Sequence, residues 1–297
     1  MNSLNLFLQF LANGVVTGAA YVLVAIGLTL IFGILNVVNF AHGEFYMLGG
    51  YAAVTASAVL GFPLIPTLVV TVVFLAAFGM AAEWLVFRPI SGRDPNNAII
   101  ASFGLSILLQ NGALVVFGAQ PQTWKTDLAE LPVQLGPVFL TGQRVLIVLI
   151  TVVLVAALLL VLRYTWTGRA LRAVADDHAA AQSVGISLNW IWFVVWLMAG
   201  LVALAAATVW GTKLGVQFSI TFLALKALPV LIIGGFTSVP GAIIGGLLIG
   251  AGEKLAEAYL GPAMGGGIEY WFAYVLALVV LLMRPQGLFG ERIIERI

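Results

Sequence analysis

Long apolar stretches separated by short polar turns run along almost the whole chain. An α-helix needs about 20 apolar residues to cross roughly 30 Å of hydrocarbon. Candidate stretches lie at residues 6–35, 44–60, 63–87, 98–117, 145–162, 190–210, 218–233, 241–260 and 268–283. The pattern predicts an all-α polytopic membrane protein with about eight or nine transmembrane helices.

Two longer polar stretches interrupt this pattern. Residues 118–142 carry charged side chains and several prolines, so we expect an external loop there. Residues 163–188 are also too polar to cross a membrane, and we expect a cytoplasmic loop or helix. Residues 1–297 are predicted to form one transmembrane domain.

The composition excludes whole classes of protein. Hydrophobic residues make up 62% of the chain and charged residues 8%, with a mean hydropathy of +1.11. Soluble domains are roughly 45–50% apolar and about 25% charged, so a soluble enzyme is excluded. The net charge of +1 offers no general attraction to polyanions, which also excludes nucleic acid as a partner.

The distribution of basic residues predicts the orientation in the membrane. With nine crossings, one side receives Arg88, Arg93, Arg163, Arg169, Arg172, Arg284, Arg292 and Arg296. The other side receives Lys125, Arg144 and Lys213. Since cytoplasmic loops are enriched in Lys and Arg, the N-terminus is expected outside and the C-terminus in the cytoplasm.

A polar cluster lies between the first two apolar stretches. It contains Asn36, Asn39, His42 and Glu44. Polar groups at membrane depth are costly unless they are paired or face a cavity, so we expect a broken or re-entrant segment near 36–50 that contributes to a translocation pathway. If the segment is helical, Asn39 and His42 share a face. The alternative is a short cytoplasmic turn, capped by Asn39 and Glu44, in which His42 is solvated.

A second interrupted segment is predicted near 226–241. Pro229 removes a backbone donor and is expected to kink or stop a helix. The further pathway candidates here are Lys226, Gly234, Gly235 and Ser238. Broken helices in a membrane are tolerated where they are buried or line a cavity. Lys226 faces that cavity or, equally, extends to the membrane interface.

The helix after this break begins with small residues. Gly241, Gly245 and Gly246 are expected to allow close contact between helices. Further along, Glu253, Lys254 and Glu257 are expected to form structural pairs among themselves. The segments near 36–50 and 226–241 make a pair of glycine-interrupted elements, which indicates an inexact internal repeat with a pathway between its halves.

The polar stretch at 168–186 reads GRALRAVADDHAAAQSVGI. Its alanines favour a short helix outside the bilayer, which Gly185 would end. Such a helix is marginal alone, so a partner is expected to cover it. The alternative is an ordinary positive-inside loop. Asp176 and Asp177 diverge by about 100° on a helix, so no metal site is predicted.

Motifs for catalysis are missing from the sequence. The P-loop pattern G-x-x-x-x-G-K-[ST] does not occur, so ATP cannot be bound in that way. The zinc-protease pattern H-E-x-x-H is also missing, and the two histidines, His42 and His178, are far apart. We therefore expect no catalytic residues, no metal and no cofactor.

Four segments in order resemble the branched-chain amino acid permease family of ABC importers, the Leu/Ile/Val type. They are residues 36–51 (NVVNFAHGEFYMLGGY), 168–186, 234–246 (GGFTSVPGAIIGG) and 284–290 (RPQGLFG). The resemblance implies a non-enzymatic permease subunit of the bacterial inner membrane. It also implies that residues 168–186 form a coupling helix seated on an ATPase subunit. The candidate coupling residues are Gly168, Arg169, Arg172, Asp176, Asp177 and Gly185.

The resemblance further implies a second permease subunit, two cytoplasmic ATPase subunits and a periplasmic solute-binding protein as partners, besides membrane lipid. The expected solute is a branched-chain amino acid or a related small amphipathic molecule. Residues 215–225 (GVQFSITFLAL) differ from the more glycine-rich leucine-type sequence, so urea, short amides and aromatic or organic acids are the alternative solutes.

Two other classes of function compete with the permease. A proton-coupled secondary carrier would use His42, Glu44 or Lys226 as the titrating group, because histidine titrates near physiological pH. Such a carrier has no use for a displayed alanine-rich charged segment. An intramembrane enzyme is disfavoured because no nucleophile–base pair or metal cluster is evident.

Overall fold

The computed structural model describes residues 3–35, 38–90, 94–122 and 132–290. Within these ranges the chain forms α-helices and one β-hairpin. The helices are α1 (Ser3–Leu35), α2 (His42–Val54), α3 (Leu64–Ala82), α4 (Pro95–Phe117), α5 (Gly142–Tyr164), α6 (Trp166–Asp176), α7 (His178–Ser183), α8 (Leu188–Leu214), α9 (Phe222–Gly234), α10 (Val239–Met264) and α11 (Phe272–Met283). The all-helical polytopic class predicted from the sequence is confirmed.

Six helical stretches of the described ranges are long and apolar enough to cross a membrane. They are Ser3–Leu35, Leu64–Ile90, Asn96–Phe117, Gly142–Tyr164, Leu188–Val209 and Val239–Met264. Two shorter apolar helices, Ala224–Gly234 and Phe272–Met283, coincide with the predicted seventh and ninth stretches. The predicted second stretch is α2, continued by the π-helical turn Thr55–Val59.

The predicted external loop contains an unexpected β-hairpin. Strands β1 (Pro132–Leu135) and β2 (Val138–Thr141) pair antiparallel, with Val133 opposite Leu140. The Gln9 side chain binds the free edge of β2, because its amide donates to the Phe139 carbonyl at 2.9 Å and accepts the Phe139 N–H at 2.8 Å. The hairpin is thereby attached to the start of α1.

The described chain divides into two compact units. The first takes α1 up to Thr29, the hairpin, α5 up to Val153 and the chain from Leu225 onward. The second takes the rest of α1, helices α2 to α4, the rest of α5 and the chain through α8 to Ala224.

In the first unit, α1 packs backbone-to-backbone against α10. A Cβ added at Gly14 would lie 2.6 Å from the Ala251 Cα, and one at Gly18 would lie 2.8 Å from the Gly246 carbonyl oxygen. Only glycine fits at such a crossing. Close approach of this kind is the main source of helix association in a membrane, where apolar burial gives no preference for protein over lipid.

In the second unit, α2, α3 and α8 form the packed centre. The Trp196 side chain of α8 is 1% exposed, and it lies directly over Gly79 of α3. Its ring stacks on Phe45 of α2 with centroids 5.1 Å apart. One large aromatic side chain therefore joins three helices, and the glycine beneath it makes room for the ring.

The structure differs from two local expectations. Of the kink or stop expected at Pro229, the stop does not occur, because α9 continues through Pro229 to Gly234. Residues 168–186 form two helices rather than one. The break falls at Asp177, whose backbone is extended (φ −156°, ψ 112°) and whose carboxylate caps α7.

Candidate functional site

The polar segment after α1 docks on α4 in the second unit. The Asn39 carboxamide oxygen accepts the Ala41 N–H at 3.0 Å and shapes the turn that leads into α2. The Phe40 N–H donates to the Ser102 hydroxyl at 3.3 Å, and the Phe40 ring stacks on Phe103 with centroids 4.2 Å apart. Asn36 lies outside the described residues.

His42 is the first residue of α2 and is completely buried. Asn39 therefore precedes the helix and the two do not share a helical face, unlike the predicted arrangement. The Tyr46 ring meets the imidazole edge-on at 4.8 Å between centroids. Neither imidazole nitrogen has a hydrogen-bond partner among the described residues. A fully buried polar ring in this state is not the solvated histidine of the alternative interpretation.

Glu44 is held by α4. Its Oε1 accepts the Ser106 hydroxyl at 2.7 Å, while its Oε2 is buried and has no partner within the described ranges. A buried polar atom without a partner costs about 1–3 kcal/mol. Asn39, His42 and Glu44 thus each carry a buried polar atom that has no partner among the described residues. Such groups are costly in an apolar unit, which makes the three residues candidates for a functional site.

Lys226 belongs to a second polar cluster, located in the first unit. Its ammonium lies 3.5 Å from the Glu253 Oε1, and it donates to the Tyr21 hydroxyl at 3.3 Å and to the Glu269 carbonyl at 3.0 Å. The Tyr21 hydroxyl in turn donates to the Glu253 Oε2 at 2.9 Å. The ammonium thus joins α1, α9 and α10 and is committed to internal partners.

The expected pairing within α10 was wrong. Glu253 pairs with Lys226, and Lys254 pairs with Glu269 of the turn that follows α10. Glu257 accepts the N–H groups of Gly267 and Glu269 at 3.0 and 3.2 Å. All three side chains of α10 therefore fasten this helix to other segments.

Gly234, Gly235 and Ser238 form the elbow between α9 and α10. Ser238 caps α10 by accepting the Gly241 N–H at 3.1 Å. Gly235 has a left-handed backbone (φ +90°), which allows the sharp reversal. The Leu288 N–H donates to the Ile233 carbonyl at 2.8 Å, so the segment that follows α11 lies along the elbow.

The remaining small residues of α10 face neighbouring helices. A Cβ at Gly241 would collide with the Gly234 backbone, and one at Gly245 would lie 2.9 Å from the Val230 carbonyl. One at Gly246 would lie 2.6 Å from Val22 of α1. Each of these glycines lies at a backbone approach that a side chain would prevent.

Helices α6 and α7 and the turn after them, residues 166–185, lie within the second unit and form the predicted coupling segment. Ala170, Leu171 and Val174 are buried. The opposite surface carries exposed charges and continues to the tip after α7; its exposed residues include Arg169, Arg172, Asp176, Asp177, Val184 and Gly185. The segment is therefore amphipathic, with its apolar side bound to the protein.

Local interactions fix the two ends of the coupling segment. Gly168 packs against the end of α5 so closely that a Cβ would collide with the Leu162 carbonyl. The Arg172 guanidinium also donates to that carbonyl. The Asp177 carboxylate accepts the Ala179 and Ala180 N–H groups, and Gly185 ends the segment with φ +86°.

Sequence reasoning missed several partners of these residues. Ser102 and Ser106 are spaced i, i+4 in an apolar stretch, and that spacing could have marked one polar face of α4. No sequence pattern marked Tyr21 and Glu253 as partners of Lys226. Tyr21 lies more than 200 residues before Lys226, and Glu253 lies more than 20 residues after it.

The chain is similar to known proteins over nearly its whole length. The family model described as the permease component of the branched-chain amino acid transport system matches residues 10–284. The permease protein BraD of the high-affinity branched-chain amino acid transport system of Pseudomonas aeruginosa is 33% identical over 305 residues, covering 98% of both chains. Its counterpart LivH of Escherichia coli K12 is 32% identical, with the same coverage.

A more distant relative agrees with this match, and a solved structure shares the fold. A probable branched-chain amino acid transport permease protein, LivH of Methanocaldococcus jannaschii, is 29% identical over 307 residues, covering 95% of this chain and 92% of its own. PsaBC from Streptococcus pneumoniae, solved in complex with Fab, shares the fold at a TM-score of 0.51 and 17% identity, covering 94% and 93% of the two chains. The chain therefore belongs to the family of permease components of branched-chain amino acid transport systems.

Proposed function

We propose that this chain carries a branched-chain amino acid across the bacterial inner membrane in an importer that is driven by separate ATPase subunits. The observation that carries the proposal is the full-length similarity to high-affinity branched-chain amino acid permeases. The lack of a P-loop is consistent with it, since the nucleotide chemistry then belongs to another polypeptide.

The proposed solute pathway includes Asn39, His42 and Glu44. Their unpartnered polar atoms are buried in an apolar unit and are suited to transient hydrogen bonds with a small amphipathic solute. The assignment of Lys226, Gly234, Gly235 and Ser238 to the pathway stays a prediction. Their contacts give them structural tasks in the first unit.

The coupling segment is proposed to dock on an ATPase subunit. Its apolar side is bound to the protein, so its charged side is free for a partner, and Val184 at the tip is 75% exposed. The docking surface would consist of Arg169, Asp176 and the tip that ends at Gly185. A second permease subunit and a periplasmic solute-binding protein complete the proposed assembly, with the N-terminus outside and the C-terminus in the cytoplasm.

Uptake by the reconstituted assembly tests the proposed solute. The chain is co-expressed with its neighbouring transporter genes, and the purified complex is placed in liposomes with the binding protein and ATP. We expect uptake of radiolabelled L-leucine that unlabelled L-isoleucine and L-valine suppress. Uptake of urea, acetamide or benzoate in place of leucine would contradict the proposed solute class while leaving the family intact.

A further inference from the structure

A cavity lies where the coupling segment meets the spanning helices of the second unit. Its volume is about 500 Å³, within the range of roughly 300–1,000 Å³ typical of small-molecule sites. Its walls come from the end of α3, from α7 and from the start of α8. The lining residues that matter here are Glu83, Arg88, His178, Ile186, Leu188 and Trp192.

Glu83 provides the negative wall of this cavity. It is 7% exposed, and its Oε2 has no hydrogen-bond partner in the part of the chain that the structure describes. A carboxylate so deeply buried is costly unless a cation or hydrogen-bond donor meets it. Glu83 also begins the π-helical turn Glu83–Phe87, and such turns occur frequently at functional sites.

Arg88 provides the positive wall. It begins the 3₁₀ turn that follows the π-helical turn, and its side chain is exposed at the cavity. Glu83 and Arg88 form no ion pair within 4 Å among the described residues. Neither side chain is held by the other, so both can bind a molecule that enters the cavity. A guanidinium binds a carboxylate with two parallel hydrogen bonds, which makes Arg88 suited to that group.

The rest of the lining is partly polar and partly apolar. His178, Gln182, Ser187 and Asn189 supply polar side chains. Ile186, Leu188 and Trp192 supply apolar surface beside the two charged groups. The carboxylate, the guanidinium and the apolar part of the wall match an ammonium group, a carboxylate group and a hydrocarbon side chain, respectively. These three groups occur together in an aliphatic α-amino acid.

We propose that this cavity is a second binding site, outside the solute pathway, for an aliphatic α-amino acid. The choice of ligand rests on the proposed function, since the transported solute is the available zwitterion of this kind. Glu83 binds the ammonium group and Arg88 binds the carboxylate. Because His178 and Gln182 of the coupling segment line the same cavity, the bound amino acid connects that segment to the turns that follow α3.

Calorimetric titration of the purified transporter complex in lipid nanodiscs tests the site. The solute-binding protein and nucleotide are omitted, and the probes are L-leucine, 4-methylpentanoate, which lacks the ammonium group, and 3-methylbutylamine, which lacks the carboxylate. We expect leucine to bind at least about tenfold more tightly than either analogue, because each analogue lacks one of the two charged groups that hydrogen-bond to the cavity. Equal binding of all three, or no binding of leucine, would overturn the proposal.

Two variants then assign the charges. Glu83→Gln should weaken leucine binding by about tenfold. It should leave the binding of 4-methylpentanoate unchanged, since that analogue has no ammonium group for Glu83 to bind. Arg88→Gln should weaken leucine binding by a similar factor and leave the binding of 3-methylbutylamine, which has no carboxylate, unchanged. Arg163→Gln, an exposed arginine outside the cavity, serves as the control and should bind leucine as the wild type does. Wild-type leucine binding by both cavity variants would place the site elsewhere and refute the proposal.

The same preparation separates this site from the proposed function. Leucine uptake with the binding protein present, but no leucine binding that depends on Glu83 and Arg88, would reject the cavity and keep the function. Absence of branched-chain amino acid uptake, together with leucine binding that both variants weaken, would reject the function and keep the cavity.

Discussion

Lys226 connects three helices of the first unit through its ammonium group, and Glu253 is its buried counter-charge. Glu253 is 1% exposed. The Lys226 side chain is 25% exposed, but its removal leaves the buried Glu253 without a counter-charge. An uncompensated buried charge is far more costly than the ion pair itself is stabilising. The Lys226 contacts thus account for a charged residue in an otherwise apolar helix without requiring it to face a solute.

Replacing Lys226 should therefore destabilise the protein. We expect Lys226→Met to lower the free energy of unfolding by about 3–5 kcal/mol, measured by denaturant titration of the purified protein in detergent. Lys254→Met is the matched control, because the Lys254–Glu269 pair is about one-third exposed and should contribute about 1 kcal/mol or less. Equal stability of the two variants would mean that the Lys226–Glu253 pair is not a structural link.

His42 allows function and folding to be separated at one residue. Its imidazole nitrogens have no partner among the described residues, so His42→Leu removes no hydrogen bond and should leave the folded yield near that of the wild type. If the imidazole binds the passing solute, leucine uptake should fall by about tenfold or more. Unchanged uptake by the folded variant would remove His42 from the proposed pathway.

The identity of the polar residues could be predicted from the sequence, but their partners could not. Asn39, His42 and Glu44 are recognisable because polar groups are rare between apolar stretches. Which group binds each of them depends on how α4 lies beside α2, and apolar periodicity does not specify that arrangement. The Ser106–Glu44 bond is an example, since 62 residues separate its members.

Among the elements, the elbow between α9 and α10 depends most strongly on small residues. The Gly234 and Gly241 backbones are in contact, and Leu288, in the segment after α11, bonds to the Ile233 carbonyl beside them. The break lies between Gly234 and Val239, inside the segment 226–241 where an interruption was predicted. Pro229 lies within α9 and does not form the elbow. The elbow follows from the left-handed backbone of Gly235 and from the Ser238 cap of α10.

A side chain at Gly241 should disrupt the elbow. Overpacking typically costs about 1–3 kcal/mol. Here the added side chain would clash with the Gly234 backbone, which cannot move aside as a flexible side chain can. We expect Gly241→Leu to reduce the yield of folded, detergent-stable protein severalfold in size-exclusion chromatography. Gly112→Leu is the control, since a Cβ there meets no atom within 4 Å. Similar yields would show that the Gly234–Gly241 approach does not limit folding.

The coupling segment makes a different prediction. Arg169 is exposed, so Arg169→Glu should leave insertion and folding intact while opposing the charge of the docking partner. We expect ATP-dependent uptake to fall about tenfold, with less ATPase subunit co-purifying. Arg163→Glu is the control at the end of α5. Arg172→Glu would be ambiguous, because Arg172 also binds the Leu162 carbonyl. Normal uptake by Arg169→Glu would exclude Arg169 from the docking surface.

At the scale of the whole molecule, hydropathy was sufficient for the fold class and insufficient for the details. The long apolar stretches correspond to helices with boundaries near those predicted, because length and polarity alone decide which segments can cross a membrane. The hairpin at 132–141 was not predicted, since its stability depends on Gln9 binding to its edge. The packing of α1 on α10 was likewise not specified by either helix alone.

The energy source tests the account most directly, because it separates an ATP-driven permease from a proton-coupled carrier. Leucine uptake is measured in two sets of liposomes, one with this permease alone under an imposed pH gradient and one with the complete assembly, its binding protein and ATP. We predict uptake only in the second set, and its loss when ATP is replaced by a non-hydrolysable analogue. Concentrative uptake by the permease alone under the pH gradient would contradict the account.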